Sequence, residues 1–423
     1  MCDGSFRPGM PRWLTPSVTA LAEPRTTVRW PLIIVLATLA AVAPVATDLY
    51  LPGFPAMGEE LGASASEVQL TLTTFLVGLA VGQLVMGPLS DRYGRRPPLV
   101  VSTAVCVVAG AVCALAPNVA VLAAARLVQG FAGAGGMVIG RAVIADLVTG
   151  RAAARAFTLM VTVSGVAPVL APLVGGLLSE PVGWRGMLWA VTGLCAVMFL
   201  GVVLVLRETR PAELRSAHTS YAAALRRVAV TRGYWPPVAT MALSFAVMMA
   251  YISSSPFVYQ NVVGLSAVGY GIAFGVNAVG LVATGWVSSR LVERVSPVRL
   301  VRAALAVQLT ATLVLVALAV GGAPTWLLPA PIFVAVACNA AVMGNAAALA
   351  MSRVREVAGT GSAVLGFSQF ALGALVSPLV GLGGEHSSVV PALVMATASA
   401  LAFTVSRVGL RQPRASSSVT ATS

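Results

Sequence analysis

The chain contains no lysine; all 27 basic residues are arginine, and only two histidines occur in 423 residues. Charged residues make up 10% of the composition, against about 25% in an average soluble domain. Five cysteines do not form a disulfide framework or a metal-ligand spacing: Cys106, Cys113, Cys195 and Cys338 fall in apolar stretches, and Cys2 lies near the N-terminus. His218 and His386 stand apart in polar intervals, and no phosphate-binding loop or nucleophile set is present. A membrane enzyme or sensor would require a catalytic polar cluster or a sizeable soluble module, and neither is found. No cofactor is expected, so any work done by the chain must draw on the proton-motive force. The first 30 residues lack a compact apolar core followed by a small-residue cleavage site, so no removable signal is expected.

What fills the sequence instead is apolar: 58% of the residues are hydrophobic. A soluble core does not absorb that share, and a membrane span needs about 20 apolar residues. Windows of that kind fall at 31–51, 68–89, 98–116, 119–142, 156–178 and 187–206, then at 235–256, 270–289, 298–320, 326–349, 358–382 and 389–405. They are continuous rather than alternating, which predicts helices and not a lipid-exposed barrel. The expected fold class is therefore an all-α integral membrane protein with twelve transmembrane helices in two groups of six. The predicted organisation is a tail at 1–30, a first six-helix bundle at 31–206, a central loop at 207–234, a second bundle at 235–406 and a tail at 407–423. Within the central loop, a stretch around 221–230 is amphipathic and suited to lie along a membrane surface.

The net charge of +13 does not indicate nucleic acid, because its distribution follows membrane topology. All arginines but Arg126 and Arg185 fall at one set of helix ends, among them Arg7, Arg25, Arg151, Arg155, Arg226, Arg227, Arg232, Arg353, Arg355, Arg407 and Arg411. The opposite set carries Glu59, Glu60, Glu67, Glu180 and Glu385. The positive-inside rule then places both termini in the cytoplasm. The halves also echo each other. Gly-Pro-Leu-Ser-Asp-Arg from Gly87 returns as Gly-Trp-Val-Ser-Ser-Arg from Gly285, and Ala171-Pro-Leu-Val-Gly returns as Ser377-Pro-Leu-Val-Gly, at spacings of 198 and 206 residues. Paired repeats of this kind put a substrate site where the halves meet near mid-membrane.

Against this background a few residues are out of place. Asp48 is the one carboxylate well inside a span, where an ionised acid costs about 2.5–3.5 kcal/mol on insertion scales and is usually functional. Arg126 is the arginine set deepest inside an apolar window. Counting 1.5 Å per residue from the same membrane face puts Asp48 at a depth of about 6 Å and Arg126 at about 10 Å, so the two are expected to meet. Residues 87–97 pack Asp91, Arg92, Arg95 and Arg96 into a turn marked by Gly87 and Gly94. There Asp91 suits the positive end of a neighbouring helix, and the arginines suit carboxylates or helix C-terminal carbonyls. Span 5 carries Gly165, Pro168, Pro172, Gly175 and Gly176, a kinkable and close-packing run.

These strings carry a resemblance. The 87–97 turn resembles the loop between helices 2 and 3 of the major facilitator superfamily. Thr47-Asp-Leu-Tyr-Leu-Pro-Gly-Phe-Pro55, the Gln69-Leu-Thr-Leu-Thr run and Tyr251-Ile-Ser-Ser-Ser-Pro256 are similar to strings of Bcr/CflA-type drug/proton antiporters (bicyclomycin/chloramphenicol-like efflux transporters), over about residues 30–406. The run from Leu122 to Gly130 resembles the superfamily's helix 4 pattern, and 165–176 resembles its antiporter motif, with Ala171 where the family has glycine. The resemblance implies a bacterial cytoplasmic-membrane exporter, monomeric, exchanging a small amphipathic substrate for protons. It implies proton coupling by Asp48 and Arg126, and a conformational latch between the halves formed by the 87–97 residues with Arg141 and Asp146. For the substrate the expected lining is Tyr50, Gln69, Phe75, Phe245, Met248, Tyr251, Ser254, Tyr259 and Asn345. Protons, the substrate and membrane lipids are the expected partners. Export of a native metabolite or uptake of a small nutrient is the alternative on the same fold.

Overall fold

The computed structural model describes residues 30–147, 150–210 and 221–410, with the backbone alone for 150–165. The 1–29 and 411–423 tails and residues 211–220 of the central loop lie outside the described residues. Among those described, the structure is all-helical. Its helices are α1 (Trp30–Asp48), α2 (Phe54–Leu61), α3 (Ala65–Tyr93), α4 (Arg96–Ala114), α5 (Val119–Leu147), α6 (Gly150–Val205), α7 (Tyr221–Val230), α8 (Trp235–Phe257), α9 (Ala267–Leu291), α10 (Pro297–Val320), α11 (Pro329–Met351), α12 (Ala358–Gly381) and α13 (Val389–Gly409).

Eleven helical segments are long and apolar enough to cross a membrane. The longest, α6, is broken at Gly183, whose φ of 62° and ψ of −177° lie outside helical space. Only glycine adopts such a backbone readily, so α6 is two spans and the crossings number twelve. Gly94, at φ 90°, makes the corresponding break between α3 and α4. The remaining turns are set by local signals. Ser64 caps α3 in a reciprocal box, its backbone N–H donating to Glu67 Oε2 at 2.8 Å and its hydroxyl accepting from the Glu67 N–H at 3.4 Å.

Spans α1 and α3–α6 form one bundle, and α8–α13 form the other. They meet along two seams, α3 against α12 and α6 against α9. Small residues make the approach close. A Cβ on Gly381 would lie 2.6 Å from Gln69 Oε1, and one on Gly366 would lie 3.0 Å from Gln83 Oε1. Hydrogen bonds also cross between the bundles: Gln69 Nε2 donates to the Ser253 carbonyl at 3.0 Å, and Gln260 Nε2 to the Pro52 carbonyl at 3.1 Å. The seams are thus closed over much of their length.

The alternation of spans collects Arg95, Arg96, Glu208 and α7 at one end. Arg185 stands at the other end, where its Nε meets Glu60 at 3.0 Å and its Nη1 donates to the Ala116 carbonyl at 2.8 Å and the Ala114 carbonyl at 3.2 Å, closing the end of α4.

Candidate functional site

Helix α1 ends at Asp48, and the chain then runs through Leu49 and Tyr50 into a 3-10 turn, Leu51–Gly53. Pro52 in that turn has no N–H to continue the ladder, so the carbonyls of the last α1 turn need partners from elsewhere. Arg126, from the middle of α5, supplies one: its Nη2 donates to the Ala46 carbonyl at 2.7 Å. Its Nη1 donates to Gln129 Oε1 at 2.8 Å, and the guanidinium lies between the rings of Tyr50 (4.4 Å) and Phe75 (4.3 Å). Each such cation–π contact in a desolvated place is worth roughly 2 kcal/mol. Tyr50 is itself fixed, its hydroxyl bonding Thr71 Oγ1 at 3.2 Å. Arg126 is 0% exposed and Asp48 3% exposed.

Asp48 and Arg126 are brought to one corner but do not pair. Arg126 takes the backbone two residues before Asp48, Asp48 Oδ1 has no hydrogen-bond partner, and Arg126 Nε has none either. The expected ion pair is therefore absent in this conformation, and the guanidinium's hydrogen bonds go to the α1 carbonyl and Gln129 instead.

The run from Pro168 to Gly176 ties this corner to the seam. A Cβ on Gly175 would strike the Leu49 carbonyl oxygen, directly after Asp48, and one on Gly176 would lie 2.6 Å from the Ala267 carbonyl of α9. Pro172 leans on α9 from the same helix, its carbonyl 2.7 Å from the position a Cβ on Gly271 would take. Pro168 lies inside α6. Gly165 falls in α6, but its surroundings lie outside the described residues.

Of the nine expected substrate residues, Phe245, Met248, Tyr251 and Ser254 lie on α8, and Tyr259 lies just beyond its end. Tyr251 and Tyr259 both accept from Asn277 Nδ2, at 2.8 and 3.2 Å, and Tyr251 stacks on Phe274 at 5.3 Å. Ser255 and Tyr270 hydroxyls bond at 3.1 Å. Asn277, Tyr270 and Ser255 are additions that sequence reasoning missed; a lone Asn in an apolar window was their only signal. Phe245 meets Phe370 edge-on at 5.5 Å, and Met248 packs against the same core. Ser254 is engaged locally, its hydroxyl donating to the Ala250 carbonyl at 2.6 Å. Asn345 does not join the group. It donates to Ser288 Oγ at 2.8 Å, eleven residues along α9 from Asn277, or about 16 Å. Beside Tyr251, Ser254, Ser255 and Tyr259 lies a void of about 10 Å³, room for about one water and not for a drug-sized guest. A 520 Å³ depression between α10 and α11 is lined by Val307, Val314 and Val334 on the outer face, away from these groups.

The charged turn is organised within the first bundle. Arg95 Nη1 donates to Asp91 at 2.8 Å and to Ser90 Oγ at 2.8 Å, while its Nε donates to Asp146 at 2.9 Å. Burial opposes the Arg95 charge, but Asp146 and then Asp91 more than offset it and hold its pKa above the ordinary value. Arg210 adds a second contact to Asp91 at 2.9 Å. Glu208, unforeseen from sequence, accepts from the backbone N–H groups of Arg95 (2.8 Å), Arg96 (3.2 Å), Thr209 (3.0 Å) and Arg210 (2.9 Å). Partial burial pushes its pKa up, and these four amides together outweigh that and hold it below the usual range. Arg96 Nε donates to the Leu206 carbonyl at 2.9 Å, and Arg92 lies over the Tyr93 ring at 5.3 Å. Gly87 faces Val138, and Arg141 makes no hydrogen bond or ion pair among the described residues. The contacts of Asp91, Arg95, Arg96 and Asp146 thus join α3, α4, α5 and the end of α6; none crosses to the second bundle, as a latch between halves would require.

A closed pair of six-span bundles with isolated ionisable groups where α1 meets α5 is the frame of a multi-pass membrane transporter, not of an enzyme. The Major Facilitator Superfamily model matches residues 36–378, and the chain belongs to that family. It is 34% identical over 398 residues to YdgK of Bacillus subtilis (strain 168), an uncharacterised MFS-type transporter, covering 92% of this chain and 99% of the relative. It is 28% identical over 359 residues to a bicyclomycin resistance protein homolog of Haemophilus influenzae, covering 82% and 88%. The multidrug resistance protein MdtL of Salmonella paratyphi B is 27% identical over 240 residues, covering 57% of this chain and 61% of the relative. The crystal structure of a D-xylose–proton symporter shares the fold at a TM-score of 0.72 and 15% identity, over 89% of this chain and 96% of that one.

Proposed function

We propose that the protein exports drug-like amphiphiles or antibiotics across the bacterial cytoplasmic membrane in exchange for protons, rocking its two bundles about the seam. The carrying observation is Asp48, buried at the end of α1 with a carboxyl oxygen that no group satisfies. A buried carboxyl with an unsatisfied oxygen is held most cheaply as the neutral acid, so the closed conformation suits protonated Asp48. Ionisation gives Arg126 a nearby competitor for the Ala46 carbonyl. Drawing the guanidinium to Asp48 uncaps α1 and loosens the Leu51–Gly53 turn that Gln260 and Gly175 hold against their neighbours. Proton binding and opening are thereby exclusive, as antiport needs.

The relatives named for bicyclomycin and multidrug resistance support a drug as cargo, and the aromatic and hydroxyl group on α8 and α9 suits an uncharged or weakly polar one. The arginine-rich end is assigned to the cytoplasm by the positive-inside rule. One proton across about 150 mV supplies ~3.5 kcal/mol, enough for roughly 300-fold accumulation of a neutral solute. Everted vesicles test the reading: drug accumulation should collapse when an uncoupler dissipates the gradient. Accumulation that persists, or that runs only in the uptake direction, contradicts it.

A further inference from the structure

Helix α7 is nearly uncovered. Val228 is its one buried residue, set against Tyr234, Val238, Val354 and Val364 of the second bundle, while Leu225 and Val230 remain 38% and 68% exposed. Its first residue reaches the other bundle, Tyr221 Oη donating to the Leu84 carbonyl of α3 at 3.2 Å. The helix therefore lies across the seam at the arginine-rich end. Around it the structure gathers arginines from two segments. Arg226 and Arg227 are exposed on α7, and Arg232 follows it. The Arg353 guanidinium lies over Gly233, within 3.8 Å of where its Cβ would be, and Arg227 pairs with Glu356 in the turn Arg355–Val357. Five arginines thus face one acid, and among the described residues Arg226, Arg232, Arg353 and Arg355 make no ion pair.

We infer that α7 and the Arg353–Arg355 segment form a docking platform for the headgroups of anionic phospholipids. The arginines supply bidentate donors to phosphate. Leu225 and Val230 offer the apolar edge that an interfacial helix sinks toward the acyl boundary. Trp235, 39% exposed at the start of α8, stands where aromatic anchors sit, with its Nε1 already bonded to the Ala229 carbonyl at 2.9 Å. Because the same helix bonds both bundles, a headgroup held there fastens the strap over the closed seam. This inference rests on the membrane placement of the fold and not on proton coupling.

The full chain, purified in neutral detergent, is offered phosphatidylglycerol or phosphatidylcholine of matched acyl chains, and bound lipid is counted by native mass spectrometry. Phosphatidylglycerol should bind several-fold more, and the joint substitution Arg226→Gln, Arg227→Gln, Arg232→Gln should remove the preference. The joint substitution Arg290→Gln, Arg294→Gln, Arg299→Gln, at the turn between α9 and α10, should retain it. Should the first variant not run as a single species in gel filtration, Arg226→Gln alone, which makes no ion pair among the described residues, should lower the preference part-way. Equal binding of the two lipids by the native chain, or a preference unchanged in the α7 variants, overturns the inference. Displacement of phosphatidylglycerol by inorganic phosphate at equal concentration would assign the platform to soluble anions and overturn it as well.

Discussion

Arg126 and Ala46 are joined by a 2.7 Å hydrogen bond from guanidinium to backbone carbonyl, so a side chain of α5 caps the helix that ends in Asp48. Buried charge is costly without partners, and here the partners are a peptide oxygen, Gln129 and two aromatic faces. An acid two residues further on is the cap's nearest competitor in sequence for that charge.

Arg126→Ala should abolish drug accumulation and also destabilise the protein. It leaves the Ala46 carbonyl without its side-chain donor and Gln129 Oε1 with only the weak Cys113 thiol, at about 1–3 kcal/mol for an unsatisfied buried group. Arg126→Lys retains the charge but not the two-pronged geometry, and should keep the fold while losing most of the coupling. Thermal unfolding followed by gel filtration separates the two effects from transport in vesicles.

The adjacent glycines of α6 should be intolerant in a graded way. Gly176→Ala presses on the Ala267 carbonyl and should part α6 from α9, while Gly175→Ala strikes the Leu49 carbonyl beside Asp48. Overpacking of this kind costs about 1–3 kcal/mol, and transport should fall at least tenfold. Gly193→Ala, with nothing within 4 Å of the new methyl, should transport as well as the native chain and gain up to ~1 kcal/mol of helix stability.

Replacing Asn277 by Ala removes the common donor of Tyr251 and Tyr259. The fold should survive at a cost of about 1–3 kcal/mol. If these hydroxyls recognise the cargo, KM should rise several-fold and unequally between drugs. An unchanged resistance profile would remove them from the site.

Glu208 sets a pH dependence outside the membrane. Its folded pKa lies below the unfolded one, so its contribution is present above the ordinary glutamate range and is lost as pH falls through the depressed value. Glu208→Gln should therefore lower the melting temperature at pH 7, and the gap to the native chain should begin to close as the pH falls below the ordinary glutamate range. A gap that does not change with pH would mean the carboxylate charge is not what binds the four amides.

Much of this was legible before the structure. Twelve crossings follow from apolar run lengths, since lipid leaves the backbone no choice but helix. Asp48 and Arg126 declared themselves because one is the lone acid within an apolar window and the other is the arginine set deepest in one. Their actual contacts were not legible: Arg126 is satisfied by the Ala46 backbone, and a carbonyl has no sequence signature. Depth arithmetic put the two at neighbouring levels but says nothing of which face each presents. The 87–97 turn shows the same limit. Its residue types announced a charged network, and Asp146 was expected in it, but Glu208, 113 residues from Arg95, was not. Asn345 failed for the opposite reason: a polar residue in a span was read as facing the substrate, whereas it joins α11 to Ser288 of α9.

The most direct test is to record proton release and drug movement together in proteoliposomes holding the native chain or Asp48→Asn. The account predicts that adding drug to the native protein releases protons and that a pH gradient drives drug uphill. Asp48→Asn should do neither, while still exchanging drug for drug. Gradient-driven accumulation at the native rate by Asp48→Asn would contradict the account.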